Sequence, residues 1–526
     1  MSQKIENKIS IQVSGELIDF VVARTDQFGQ NVPLITPDRS LRQILLTVKS
    51  EIAALLMHMP LGKGATAFPL LMQQGAENLV VHAHQSLQEV PGYEDVKCYA
   101  APMPKPDEKK ERLALFVNDP EMMLEIFRGS EVFDSPAVAG SIDRMMNPTM
   151  PNGEPAQGIV FGSGGETHVR QREITHETMR SEFTNRLLRS FKEKLPELVE
   201  GLKSDHSIDV GAYLKKAMSD LVVELVWGEQ IEAKDRLLGV IQKGFDLGNE
   251  SHYLGERATH AKKEKHELTK QALVEELSGH LLNQIKKAHS GSESSLSGQL
   301  GAELMSGGVD EEEFQKIKAE LFAICFHLTF AAYDTTTNMM NFIVKQLADK
   351  ELLQQIRTEI TDEQVSSKPA SAYAAIHTLI TAALVDGLST FLTARTATQD
   401  YEFQSNPNLR VKKGDEIFLV MKAALQDMLE TDKNVSSLKP KELFDLVVKL
   451  DEEKVKTIWN LAFGGPFDAH DMKSRSCLGR AAASVIMAEF SQATINGVDE
   501  ISLDQKNPPI MRPGATSDLA LHAQIS

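Results

Sequence analysis

A mainly α chain with a smaller β part is predicted by two features of the sequence. Apolar residues recur at helical spacing over long stretches, while strand-like alternation is confined to short runs beside turn residues. Within Leu41–Met59 the helical positions are Leu41, Ile44, Leu45, Val48, Ile52, Leu55 and Leu56, and Gln73–Gln88 reads as a further helix. Val96–Ala100 and Leu113–Val117 alternate as strands around a charged, Pro-containing turn at Pro102–Arg112. Asp119-Pro120-Glu121 then starts a helix, with Asp119 at the N-cap and Pro120 at the first helical position. Pro136 to Gly158 reads as a Pro/Gly/Met-rich loop. Residues 183–300 are mostly helical by pattern, including Asp209–Gly228 and a charged Ala261–Lys287. From Asp310, followed by Glu311-Glu312-Glu313, a long helix is predicted to continue through Ile343, Leu347 and Leu352. Residues 1–66 read as an N-terminal extension packed on one main domain, residues 67–526.

Composition narrows the function. The 526 residues suffice for one large domain with a sizeable core. A net charge of −18 argues against a general nucleic-acid surface. Three scattered cysteines, Cys98, Cys325 and Cys477, make no disulfide framework and suit a reducing cytoplasm. Met1–Glu6 shows no apolar core of a signal peptide, and Leu321–Tyr333 is too short to span a bilayer, so no membrane anchor is expected. No phosphate-binding GxxxxGK[ST] loop or CxxC pair is visible.

Four segments carry chemistry. In Phe463-Gly464-Gly465-Pro466 and Arg475-Ser476-Cys477-Leu478-Gly479-Arg480, a cysteine precedes a small-residue helix. The positive helix end there would favour its thiolate, Gly479 would admit a flat group against the backbone, and Arg475 would meet a carboxylate. In Gly165–Arg172, His168 and Arg172 are four apart and share a helix face that suits an anion. In Ala331-Ala332-Tyr333-Asp334-Thr335-Thr336, an acid and hydroxyls interrupt an apolar helix, which is costly unless they are bonded or functional. Lastly, Arg395 stands in Ala394–Phe403, before Val411-Lys412-Lys413-Gly414.

Together, in this order, these segments resemble the cytochrome P-450 family, and specifically a divergent, soluble, bacterial-type member. The resemblance implies the cytochrome P-450 fold and heme b (iron protoporphyrin IX) ligated by Cys477. His168, Arg172, Arg395 and Arg475 would gather its propionates, with Gly479 beside the ring. Asp334 and Thr335 fall on the acid–alcohol pair that delivers protons during oxygen activation. The implied activity is that of a monooxygenase inserting one oxygen atom from O2 into an apolar small molecule, by hydroxylation or epoxidation. Its electrons would come from a separate ferredoxin or flavin reductase. The chain departs from the family in four places. Ala332 replaces the usual central-helix glycine, and Asp386 and Ser389 stand where E-x-x-R is expected. Charged helical sequence at 429–460 replaces the aromatic–Pro–Arg meander, and Phe467–Ser474 is an apparent insertion. Two alternatives stay open: a hydroperoxide-using peroxygenase or isomerase of this fold, or a heme-binding protein that does not oxidise.

Overall fold

The computed structural model describes residues 7–13, 16–29, 32–37, 83–103, 112–162, 164–180, 184–228, 231–254, 256–292, 294–306, 308, 310–366, 370–388, 392–429, 431, 435–466, 472–512 and 518–526. The helix expected at Leu41–Met59, most of that at Gln73–Gln88, Ser389 and most of the insertion after Pro466 lie outside the described residues.

One sheet runs through β1 (Asn7–Val13), β2 (Glu16–Thr25), β3 (Val32–Pro37), β4 (Cys98–Met103), β5 (Arg112–Val117), β6 (Phe133–Asp134), β7 (Thr393–Ala397) and β8 (Glu416–Leu419). Their order across it is β1-β2-β3-β4-β5-β8-β7-β6. Strands from both ends of the chain therefore meet: β3 pairs in parallel with β4 at Leu34↔Ala100, and β8 in parallel with β5 at Ile417↔Leu115. Register stacks Tyr99, Phe116 and Phe418 across three strands, with ring centroids 5.0 and 4.9 Å apart. The β4 strand begins and ends later than the alternation at Val96–Ala100 suggested.

The helical body comprises α1 (Pro120–Arg128), α2 (Ala137–Met146), α3 (Glu166–Thr178), α4 (Thr184–Leu202), α5 (Val210–Trp227), α6 (Lys234–Leu254), α7 (Glu256–His289), α8 (Leu296–Leu304), α9 (Glu311–Leu347), α10 (Lys350–Ser366), α11 (Ala370–Asp386), α12 (Met421–Asp427), α13 (Pro440–Val448), α14 (Glu452–Ala462) and α15 (Arg480–Gly497). Asp119 caps α1 by accepting from the Met122 amide at 2.9 Å, and Asp310 caps α9 by accepting from Glu313 at 2.7 Å. At 37 residues, α9 is about 55 Å long. Its stretch Leu321–His327 is fully buried, and it packs against α5, α11 and α15.

Two expectations are corrected. First, α9 stops at Leu347 and Leu352 belongs to α10, because the Asp349 carboxylate accepts from the amides of Glu351 and Leu352 and so starts a new helix. Second, part of the stretch read as a loop is helix α2. Local signals hid it, since its stability is tertiary. Gly244 and Gly248 of α6 leave room for its backbone: an added Cβ would stand 2.9 Å from the Met145 carbonyl oxygen and 2.5 Å from Ile142 Cα. The buried Lys270 ammonium also donates to the Asn147 carbonyl at 2.6 Å just beyond its end.

Candidate active site

Helix α3 is unusual in what it buries. His168, Gln171, Arg172, Thr175 and His176 all face inward, where an ordinary amphipathic helix presents apolar residues. His168 is 2% exposed, and among the described residues neither of its ring nitrogens has a hydrogen-bond partner. A buried polar pair left open in this way points to a group that would complete it. Arg172, also buried, donates from Nη2 to the Ser476 carbonyl at 2.9 Å.

Arg395 arrives from the sheet. On β7 it lies between β8 (partner Ile417) and β6, and its guanidinium stands 5.5 Å from the Phe127 ring centroid. Arg475 is held by donating to Asp134 Oδ1 at 2.6 Å and to the Gly162 carbonyl at 2.9 Å. Asp134 Oδ1 also accepts from the amides of Ser135 and Gly164, so this carboxylate is fixed before it receives the guanidinium. Burial lowers the pKa values of Arg395, Arg475 and His168 alike, and positive neighbours lower those of Arg395 and His168 further. Burial first, then Arg475, bring Arg395 down to about 9. Arg475 is lowered by burial and partly restored by Asp134. Burial first, then Arg475 and Arg172, hold His168 at about 3, a neutral imidazole. Arg172, Arg395 and Arg475 outnumber the carboxylates set against them, Asp134 bonded to Arg475 and Asp143 acting on it at longer range, so the cluster is net positive.

These four side chains line one end of a cavity of about 760 Å³. Cys477 opens onto the same cavity. Its amide donates to the Phe463 carbonyl at 2.8 Å, and its position just before α15 puts it near the Gly479 and Arg480 amides. The residue is exposed and borders this cavity, yet the atoms packed around it desolvate its sulfur. Its thiol pKa is therefore raised by burial, which outweighs the lowering by the Gly479 and Arg480 amides and by the Arg172 and Arg480 charges. The helix-end argument alone pointed the other way, so in the bare chain a thiolate needs a further positive partner. Gly479 has an ordinary φ of −82°, and a Cβ there would meet only Cys477 Sγ, at 3.8 Å. Its smallness is thus unused by the protein's own packing.

On α9, Ala331, Ala332, Thr335 and Thr336 form part of the cavity wall. Thr335 donates its hydroxyl to the Ala331 carbonyl at 2.8 Å, the back-bonding expected of mid-helix threonine. Asp334 is buried but is not part of the wall; its Oδ1 lies 3.2 Å from Lys215 Nζ on α5. The remaining wall is mostly apolar, with Phe161, Phe245 and Phe330 clustered together, and Asp246 and Asn249 of α6 at one side. Asp386 accepts from Lys345 and Gln346 of α9, both at 2.7 Å.

A family model for cytochrome P450 matches residues 110–430, more than half of the chain. The chain belongs to the cytochrome P450 family. The matched stretch ends before Cys477. Among solved structures, this P450 is similar to retinoic acid-bound cyanobacterial CYP120A1, with a TM-score of 0.60 and 16% identity over 84% of this chain and 93% of that one. That likeness shows the cytochrome P450 fold, mainly α with a smaller sheet part. No curated protein matches the sequence. The family implies a heme iron cofactor and use of O2 with a redox partner. The residues present fit such a group: a sulfur facing the cavity, a net positive guanidinium cluster lining the same cavity, and an imidazole whose nitrogens have no hydrogen-bond partner among the described residues. Among the described residues no helix is long and apolar enough to cross a membrane.

Sequence reasoning missed Asp134 and Lys215. Asp134 stands in Glu131-Val132-Phe133-Asp134-Ser135 with nothing local to tie it to Arg475, 341 positions away. Lys215 sits on an ordinary amphipathic helix. Neither had a signal readable without the fold.

Proposed function

We propose that this P450 binds heme b through Cys477 and inserts one oxygen atom from O2 into an apolar small molecule. Arg172, Arg395, Arg475 and His168 would gather the two propionates. The observation that carries this reading is Cys477 opening onto the same cavity as that cationic cluster and as Ala331, Ala332 and Thr335 of α9. When bound, thiolate-ligated heme supplies oxygen activation, because sulfur donation favours O–O cleavage. The chain's own work is positioning and proton supply. Carboxylates would neutralise the positive cluster, and a propionate oxygen would accept a hydrogen bond from the imidazole of His168. The apolar wall excludes water from the substrate. Thr335 offers a hydroxyl on that wall, and Asp334 holds a carboxylate one residue away that can pass a proton inward after leaving Lys215.

Electrons would come from a separate ferredoxin or flavin reductase, and the place of action would be the cytoplasm, in keeping with cysteines that are all unpaired. We take residues 67–526 as the heme domain, with residues 1–66 packed on it. The test is the spectrum of reduced protein with CO. Wild type should show the red-shifted Soret band of thiolate ligation, and Cys477→Ala should lose it. An unchanged band in Cys477→Ala refutes the assignment.

A further inference from the structure

We propose that Trp459 is a positioning residue for Cys477, the inner link of a stacked ladder that ties α11 to the cysteine loop. The proposal rests on the reading of Cys477 as the heme ligand. The loop needs such a tie. Cys477 is fixed through its amide to the Phe463 carbonyl, yet the two residues after Phe463, Gly464 and Gly465, have φ of +74° and +120° and lack side chains. The Phe463, Gly464 and Gly465 amides close the end of α14 by donating to the Trp459, Leu461 and Asn460 carbonyls at 3.2, 3.1 and 2.7 Å, so the place of the Phe463 carbonyl follows the end of α14, which Trp459 anchors.

The Phe463 ring is held on two sides. Arg480 stands 5.5 Å from its centroid and donates to Asn460 Oδ1 at 3.0 Å. The Trp459 indole stacks on it at 5.8 Å, with planes 17° apart. Trp459 is itself locked from α11. Its Nε1–H donates to Thr381 Oγ1 at 2.9 Å, and the exposed His377 imidazole stacks on it at 4.8 Å with planes 12° apart. Thr381 in turn donates to the His377 carbonyl at 2.7 Å, which fixes its own rotamer. The path therefore runs from α11 through Trp459 and Phe463 to the Cys477 amide. Among the described residues no ion pair of α11 makes this link: Asp386 at its end turns instead to Lys345 and Gln346 of α9. Aromatic stacking with a hydrogen-bonded indole suits the task, since it is rigid and has few rotamers to lose.

The experiment compares amide hydrogen exchange of the full chain without cofactor and the CO spectrum of the heme-loaded protein. The variants are Trp459→Leu, Trp459→Phe and Thr381→Val. Trp459→Leu should speed exchange in the peptide spanning residues 472–480 by tenfold or more, leave the peptide spanning residues 321–330 unchanged, and move the CO band toward the thiol-ligated form. Thr381→Val should give about a fivefold increase at the same peptide, the worth of one net hydrogen bond. Trp459→Phe keeps a stack and should fall between wild type and Trp459→Leu. Wild-type exchange at 472–480 in Trp459→Leu overturns the proposal, as does an equal rise in every peptide. If Trp459→Leu does not fold, Thr381→Val decides by the same two criteria. If exchange responds as expected while Cys477→Ala keeps the thiolate band, the ligand assignment fails and the ladder remains only as support for the loop.

Discussion

Arg172 donates to the carbonyl of Ser476 at 2.9 Å, joining helix α3 to the residue beside Cys477 across 304 positions of sequence. One guanidinium thus belongs both to the cationic cradle and to the loop that presents the sulfur. Arg172→Ala should loosen both. A charge-assisted bond of this kind is worth on the order of 1.5–3 kcal/mol, so heme should dissociate roughly 10–100-fold more readily. Arg172→Lys keeps the charge but not the fork and should recover only part of the loss. The check is the rate of heme transfer to a scavenging globin. Equal rates in wild type and both variants would remove Arg172 from the cradle.

A pH dependence follows from His168. Its folded pKa is held near 3, against about 6.5 in an unfolded chain. Between those values the unfolded chain binds the extra proton, so stability is full above pH 6.5 and falls as pH drops toward 3. Without cofactor, wild type should lose a few kcal/mol over that window on this account. His168→Gln should flatten the slope between pH 6.5 and 4, read as urea midpoints. Loading with an anionic cofactor should also flatten it, because negative charge beside the ring raises the folded pKa. The same slope in wild type and His168→Gln would show that the ring is already solvated or paired.

The site segments were legible because each announces itself locally: a cysteine before a small-residue helix, a histidine and arginine on one helical face, an acid and alcohol in an apolar helix. What holds them was not. Asp134, Lys215 and Thr381 look like unremarkable polar residues until the fold brings them to Arg475, Asp334 and Trp459. The fold class was legible for the same reason, since helical spacing is a local property. Helix α2 was missed because it is specified by Gly244, Gly248 and Lys270 of distant helices, and the sheet order because β5 and β8 pair across 300 residues. The net direction of the Cys477 pKa was misread because helix-end electrostatics can be seen in sequence and burial cannot.

Two glycines of the cysteine loop should separate a demand of the fold from a demand of the cofactor. Gly465 has φ +120°, and a Cβ there would stand 2.9 Å from Phe127 Cβ. Gly465→Ala should therefore destabilise the chain itself by about 1–3 kcal/mol, visible as a lower urea midpoint without heme. Gly479 has no such constraint, so Gly479→Ala should unfold like wild type without heme and differ only in heme retention or spectrum. A stability loss of the same size in both variants would leave Gly479 with no special relation to the cofactor.

Asp334 and Lys215 lie 3.2 Å apart, and on the proposed reading that ion pair bears on how a proton is supplied. Thr335 is part of the cavity wall, while Asp334 is not and is turned to Lys215. A proton reaching Thr335 from Asp334 requires the carboxylate to leave Lys215, or a water to bridge them. Thr335→Ala leaves the cysteine side intact, so heme binding and the CO spectrum should match wild type. It should divert reducing equivalents to peroxide, because protons arrive late or at the wrong oxygen. Asp334→Asn should slow turnover more than it uncouples it. Lys215→Met removes this tether and should keep coupling while changing the rate of turnover, since that cation no longer holds the carboxylate. Product formed per reducing equivalent, run beside a peroxide-driven reaction, reads all three. Wild-type coupling in both Thr335→Ala and Asp334→Asn would place the relay elsewhere. Turnover of wild type with peroxide alone would replace the monooxygenase reading with that of a peroxygenase.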